Sequence, residues 1–182
     1  ERSITTKLGR MVYYAAQGEP WGADDSDSKE KLIFLHGLGG GSSAYEWSKV
    51  YPSFAAEYQV LAPDLIGWGR SDHPAHSYQP EDYITIITEF MEQMCDGPTT
   101  VVASALTAAF TIRVAINRPE LFKSLILTTA AGLAEFGQDY RRSSSAQFAK
   151  TLSIPFLRQL LYNAGVATSF GIRTYLGLAE KA

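Results

Sequence analysis

The sequence predicts an α/β fold in which a mostly parallel sheet is flanked by helices. Three observations carry this. Short apolar runs alternate along the chain with segments of helical period, the order expected when parallel strands are joined by crossover helices. Runs such as Leu32–Leu35 are continuous rather than alternating with polar residues, which marks strands buried on both faces. Glycine-rich or small-residue segments follow several of these runs directly, at the carboxyl ends of the strands, where ligands meet open α/β sheets.

Taken in order, Lys7–Ala16, with Met11, Val12, Tyr13 and Tyr14, reads as an early strand. Gly18–Lys31 is polar and acidic and is expected to be an exposed loop. Leu32–Leu35 is a strand ended by His36–Gly37. Ser43-Ala44-Tyr45-Glu46 has capping-box spacing, and Trp47, Val50, Tyr51 and Phe54 then fall on one helical face. Val60–Ala62 is the next strand, stopped by Pro63. Pro80 suits the first turn of a helix whose core face is Tyr83, Ile84, Ile87, Phe90, Met91 and Met94, ended by Gly97–Pro98. Thr99–Ala103 is strand-like; Leu106, Ala109, Phe110, Ile112 and Ile116 form a helix closed by Pro119; Leu125–Leu127 is one more strand. From about Phe136 the pattern is helical only, which predicts a boundary near residues 133/134 and a second unit over 134–182.

Composition narrows the function classes. The 182 residues are 46% apolar and 19% charged with a net charge of −3, ordinary for a globular domain able to bury a core. The basic residues are scattered, Arg141–Arg142 being the densest pair late in the chain, so no nucleic-acid partner is expected. No apolar run is long enough to span a membrane. Cys95 is the sole cysteine; it rules out an internal disulfide and reads as a structural thiol. The residues imply no metal and no cofactor, and cytoplasmic placement is expected. Because the chain opens on Glu1 rather than Met, a removed targeting segment, and with it a plastid or other organelle, is the alternative expectation.

Four segments at predicted strand ends carry the chemistry. In His36-Gly37-Leu38-Gly39-Gly40-Gly41-Ser42 the glycines let backbone N–H groups approach a ligand. It is not a phosphate-binding loop of the G-x-x-x-x-G-K-[ST] kind, since no lysine follows the glycines. Pro63–Asp72 is a tight loop in which Asp64 reads as an organiser. In Val101–Ala108 a buried strand runs straight into a helix through small residues, the setting of a nucleophile elbow. Such a turn is crowded and demands small side chains two before and two after its centre. Centring on Ala105 places Ala103 and Thr107 there; centring on Ser104 places Val102 and Leu106 there. The steric argument favours Ala105, with Ser104 the weaker alternative. Leu125–Leu133 leads into the second unit.

HGLGGGSSAYEW, PDLIGWGRSD, VVASALTAAF and RPELFKSLIL, in that order, resemble the α/β-hydrolase fold superfamily. The likeness is to the cap-bearing branch, especially its cyanobacterial and plastid-type hydrolases. It implies that residues 1–133 are the N-terminal part of the hydrolase core and that 134–182 begin a truncated helical cap. It also implies that the N–H groups of Leu38 and Leu106 face an oxyanion, that Gly37 shapes their loop, that Gly39 is the alternative donor to Leu38, and that His36 supports the loop. The expected parent activity is Ser-His-Asp type cleavage of an ester or related acyl bond in an apolar small molecule.

This chain departs from that pattern. Ala105 has no nucleophile, and His36, His73 and His76 all precede the elbow, whereas the acid and base are expected after it. Ala105 reads either as a Ser→Ala exchange in a working enzyme or as the mark of a non-catalytic ligand-binding or interaction protein. A sheet lacking its later strands also invites association through its edge or the cap. The chain is expected to show no turnover of an activated phenyl ester above background, and turnover blocked by a serine-directed inhibitor is the contrary result.

Overall fold

The structure, a computed structural model, describes residues 1–15 and 29–131, all within one compact unit spanning Glu1–Ala134. Most of the Gly18–Lys31 loop, the 133/134 boundary, Arg141–Arg142 and the helical segments expected from Phe136 lie outside the described residues.

Six strands form one sheet: β1 (Arg2–Thr6), β2 (Gly9–Ala15), β3 (Lys31–Leu35), β4 (Gln59–Pro63), β5 (Thr99–Ser104) and β6 (Phe122–Thr128), in the spatial order β1-β2-β4-β3-β5-β6. From β4 to β6 all pairings are parallel, while β1 and β2 are an antiparallel addition at one end. The early strand expected over Lys7–Ala16 is β2; β1, which precedes that stretch and was not expected, pairs with it as a hairpin. Its tight turn ends at Gly9, whose φ of +130° other residues rarely adopt and whose hydrogen faces Asp72 where a Cβ would lie 2.8 Å from Oδ2.

The central strands sort their side chains by parity. Ile33, Leu35, Leu61, Val101 and Ala103 face one side, where they meet α1 (Pro80–Met94) and α2 (Ala105–Asn117) through Ile86, Ile87, Phe90, Met91, Ala108 and Val114. Leu32, Phe34, Val60, Ala62 and Val102 face the other, against Ala44, Trp47 and Ala55. Burial on both faces is the reason these runs lack polar alternation. α1 begins at Pro80, where a missing N–H costs nothing, and Asp82 Oδ2 accepts the N–H of Gln79.

The helix expected after Ser43 is absent. Two short 3-10 turns, Ala44–Trp47 and Tyr51–Phe54, stand in its place. Pro52 accounts for this, because within a helix it removes a donor and crowds the preceding turn. The capping box does not form either: Ser43 Oγ accepts from Tyr45 N–H, but the Glu46 carboxylate turns away to other partners.

The loop after β4 is built around Asp64, which is 1% exposed. Its Oδ1 accepts from Ala44 N–H at 2.7 Å, and its Oδ2 from Arg70 N–H at 2.9 Å and the Tyr14 hydroxyl at 3.3 Å. Ser71 Oγ donates to the Asp64 carbonyl and accepts from Val12 N–H. A Cβ at Gly69, φ +52°, would lie 2.2 Å from the Asp64 carboxylate, so that position admits only glycine. Asp64→Ala is expected to lower unfolding free energy by about 3 kcal/mol, since it orphans the buried Ala44 N–H and the half-buried Arg70 N–H; urea unfolding measures it, and a loss under ~1 kcal/mol would contradict the role.

Candidate active site

The site lies at the carboxyl ends of β3 and β5, which are hydrogen-bonded neighbours with Leu35 opposite Ala103. Adjacency brings the loop beginning at His36 alongside the turn at Ala105. Their contact is close: a Cβ on Gly37 would lie 3.3 Å from both the Ala105 Cβ and the Ser104 Oγ. A Cβ at position 37 would fit only if the loop or the turn gave way by a few tenths of an ångström.

Ala105 sits between β5 and α2 with φ +49°. For a residue with a Cβ that left-handed conformation costs about 1–2 kcal/mol and persists only where the surroundings enforce it. The enforcement is visible. Ala103 and Thr107, two residues to either side, are completely buried, and Ala131 N–H donates to the Ala105 carbonyl at 3.1 Å. Ala105 itself is partly exposed, and Leu106 is 42% exposed. Ser104 is buried, and its hydroxyl donates to Glu46 Oε1 at 2.5 Å.

His36 is fully buried. Leu65 N–H donates to its Nε2 at 2.9 Å, so Nε2 carries no proton; Nδ1–H therefore donates to the Gly37 carbonyl at 2.6 Å. This fixes the neutral tautomer, and desolvation holds the imidazole pKa below its ordinary value, against smaller opposing effects of the Gly37 hydrogen bond and of Asp64 and Glu46. His36 has no free ring nitrogen; its role in the structure is to tie the Gly37–Leu38 peptide to the Asp64 loop. Leu38 is half-buried against the helical-side core, while Gly39 is exposed and its N–H donates to Ser42 Oγ.

The remaining histidines are held elsewhere, His73 on the Gly69 carbonyl and His76 on Asp82. Cys95 caps the end of α1, half-buried, with its thiol pKa raised by desolvation. Among the described residues no group of His, Cys, Asp or Glu is arranged to hold a metal ion, and no helix is long and apolar enough to cross a membrane. Sequence reasoning missed Glu46 as a member of this site. Its spacing from Ser43 pointed to a cap; the interrupting Pro52 was the signal against that helix.

A sequence profile of the alpha/beta hydrolase fold matches residues 31–170. The chain belongs to the α/β-hydrolase fold family. It is 28% identical over 134 residues to the 2-hydroxy-6-oxo-6-(2'-aminophenyl)hexa-2,4-dienoic acid hydrolase of Metapseudomonas resinovorans, covering 72% of this chain and 46% of that one. It is 27% identical over 116 residues to a haloalkane dehalogenase of Bradyrhizobium diazoefficiens, covering 64% and 37%. Among solved structures, a serine hydrolase involved in carbazole degradation superposes with a TM-score of 0.60 at 26% identity, covering 79% of this chain and 52% of that one. The thioesterase domain from the curacin biosynthetic pathway shares the fold, with a TM-score of 0.67 at 23% identity over 84% and 50%. The chain spans about half the length, or less, of the curated relatives it matches.

Two expectations follow from this geometry. The low pKa of His36 means that unfolding takes up a proton, so its contribution to stability is full above the unfolded value near 6.5 and is lost as pH falls below it toward the folded value. Urea midpoints measured from pH 7.5 to 5 should fall more steeply for the wild type than for His36→Gln; parallel curves would contradict the assignment. Ala105→Gly should relieve the left-handed strain and raise stability by up to about 1 kcal/mol, glycine's greater unfolded-state entropy offsetting part of the gain. A clear loss of stability would show that the turn is not strained.

Proposed function

We propose that this chain carries the oxyanion-binding half of a serine-hydrolase site in which Ala105 occupies the nucleophile slot. The observation that carries this is the left-handed backbone of Ala105 at the junction of β5 and α2, pressed against Gly37. In that slot a serine hydroxyl would project where the Ala105 Cβ now ends, and the N–H groups of Leu38 and Leu106 would receive the acyl oxygen. Ser104 is the poorer candidate, being buried with its hydroxyl committed to Glu46. The substrate class we infer is an ester or related acyl compound of an apolar small molecule. Support comes from the family, from the relatives named as hydrolases, and from the half-buried Leu38 and exposed Leu106 at the site.

In the proposed organisation, residues 1–133 are the N-terminal part of the core and 134–182 the start of a cap, in the cap-bearing branch that the motif series resembles. Acyl transfer needs a base beyond the elbow, and no histidine follows His76 within the 182 residues. This chain is therefore inactive by itself, and any general base must come from outside it. The missing hydroxyl equally favours a second reading, a non-catalytic member that holds a ligand in the same pocket.

The deciding experiment is Ala105→Ser in the longest product the gene encodes, assayed on short and medium acyl phenyl esters. A working site should gain turnover by a factor on the order of 10³ or more over the alanine form. If the serine form folds and stays silent across the panel while an apolar ligand raises Tm, the binding reading holds instead.

A further inference from the structure

We propose that Glu46 is a positioning residue that clamps the loop after β3 onto the elbow and sets the direction of the Leu38 N–H. The clamp itself is a property of the fold; its effect on turnover rests on the function proposed above.

Glu46 belongs to the 3-10 turn Ala44–Trp47, which is anchored on both sides of it. Ala44 N–H is held by Asp64 Oδ1, and Trp47 is buried with its ring 5.4 Å from Phe34. From this fixed base the carboxylate reaches the junction of the two site loops. Oε2 accepts from Gly37 N–H at 3.0 Å, and Oε1 accepts from Ser104 Oγ at 2.5 Å. One side chain therefore bonds to the last turn of each neighbouring strand, 9 and 58 residues away in sequence.

Gly37 is where restraint bears on the site. Without a Cβ it is the softest link between β3 and the proposed donor at Leu38. Glu46 holds its N–H and His36 holds its carbonyl, so both peptide planes flanking its Cα are fixed. In a trans peptide the C=O and the following N–H point in opposite directions. With the Gly37 carbonyl turned to the buried His36 ring, the Leu38 N–H is aimed the other way. Glu46 and His36 act on the two ends of one residue.

A carboxylate suits this task because two donors arrive from different elements and it offers an oxygen to each, with charge-assisted strength. Its charge is not neutralised by an ion pair with Lys or Arg among the described residues. A negative charge beside an oxyanion opposes that oxyanion, so the benefit of Glu46 is geometric. Glutamine can preserve the geometry: its oxygen accepts from Gly37, and its amide donates to the Ser104 hydroxyl, which rotates to accept. Alanine cannot. Glu46 is exposed outside these contacts, so its replacement leaves the core untouched.

The test has two arms. In the first, NMR follows the Gly37 amide of the 182-residue chain. It should exchange with solvent roughly tenfold faster in Glu46→Ala and near the parent rate in Glu46→Gln, while the Asp64-held Ala44 amide is unchanged. Unchanged exchange in Glu46→Ala overturns the clamp whether or not the protein is an enzyme. In the second, with Ala105→Ser as background, Glu46→Ala should lower kcat on the order of 10- to 100-fold with KM little altered, and Glu46→Gln should recover most of it. Loss of kcat in Glu46→Gln equal to that in Glu46→Ala overturns the geometric role. Abolition of turnover by Ser104→Ala makes Ser104 and Glu46 the reacting pair and overturns it as well. A silent Ala105→Ser background defeats the proposed function alone, and the first arm then decides Glu46.

Discussion

Burying a carboxylate costs several kcal/mol unless its oxygens find donors, and Asp64 sits almost wholly inside this protein with no ion-pair partner among the described residues. Backbone N–H groups and a tyrosine hydroxyl meet that demand, drawn from three separate stretches of chain. The arrangement of the loops follows. Residues 64–72 must fold back on themselves so that Arg70 N–H can reach Oδ2, which leaves no room for a side chain at Gly69. Ala44 must come to Oδ1, which seats the 3-10 turn whose Trp47 covers one face of the sheet. The same turn carries Glu46 to the site. The loop after β4 is thus a support for the one after β3, although neither the charge nor the hydroxyl groups of that support touch the elbow.

The elbow depends on the opposite kind of economy. Its neighbours Ala103 and Thr107 are small and buried, Gly37 has no side chain to intrude, and the left-handed turn at Ala105 survives through crowding from all sides. Strain of this kind belongs to the backbone and does not require a hydroxyl at its apex. The shape of this turn is therefore independent of whether its apex carries a hydroxyl.

How much of this was legible beforehand differs by element. β3, β4 and β5 were plain because strands buried on both faces leave continuous apolar runs. α1 was plain from its period and from Pro80; α2 was expected as a helix closed by Pro119, but its buried face is Thr107, Ala108, Phe110, Thr111 and Val114, sharing only Phe110 with the apolar positions the sequence offered, while Leu106 and Ile116 are exposed. β2 was legible but β1 was not, since Ile4 is the lone large apolar residue of β1 and the turn signal at Gly9 is a single glycine. The region after Ser43 was misread because a four-residue capping pattern was given more weight than Pro52 within the supposed helix. At the site, steric reasoning about Ala103 and Thr107 located the turn from residue sizes alone. The positions of Glu46 and Ser104 could not be read that way: they meet across 58 residues, and nothing in local spacing reports a contact between the 3-10 turn Ala44–Trp47 and the end of β5.

One hydrogen bond extends the elbow beyond its own two elements. The carbonyl of Ala105 is held by the N–H of Ala131, in the segment that leaves β6 just after Thr129, itself left-handed at φ +46°. A strained residue at the end of β5 is therefore bonded to the segment that follows a second one at the end of β6. The chain leaving the sheet past β6 is tethered at the apex of the turn, so a displacement there pulls on the Ala105 peptide, and a change in that peptide pulls back. Residue 131 thus holds a short lever on the orientation of the Leu106 N–H.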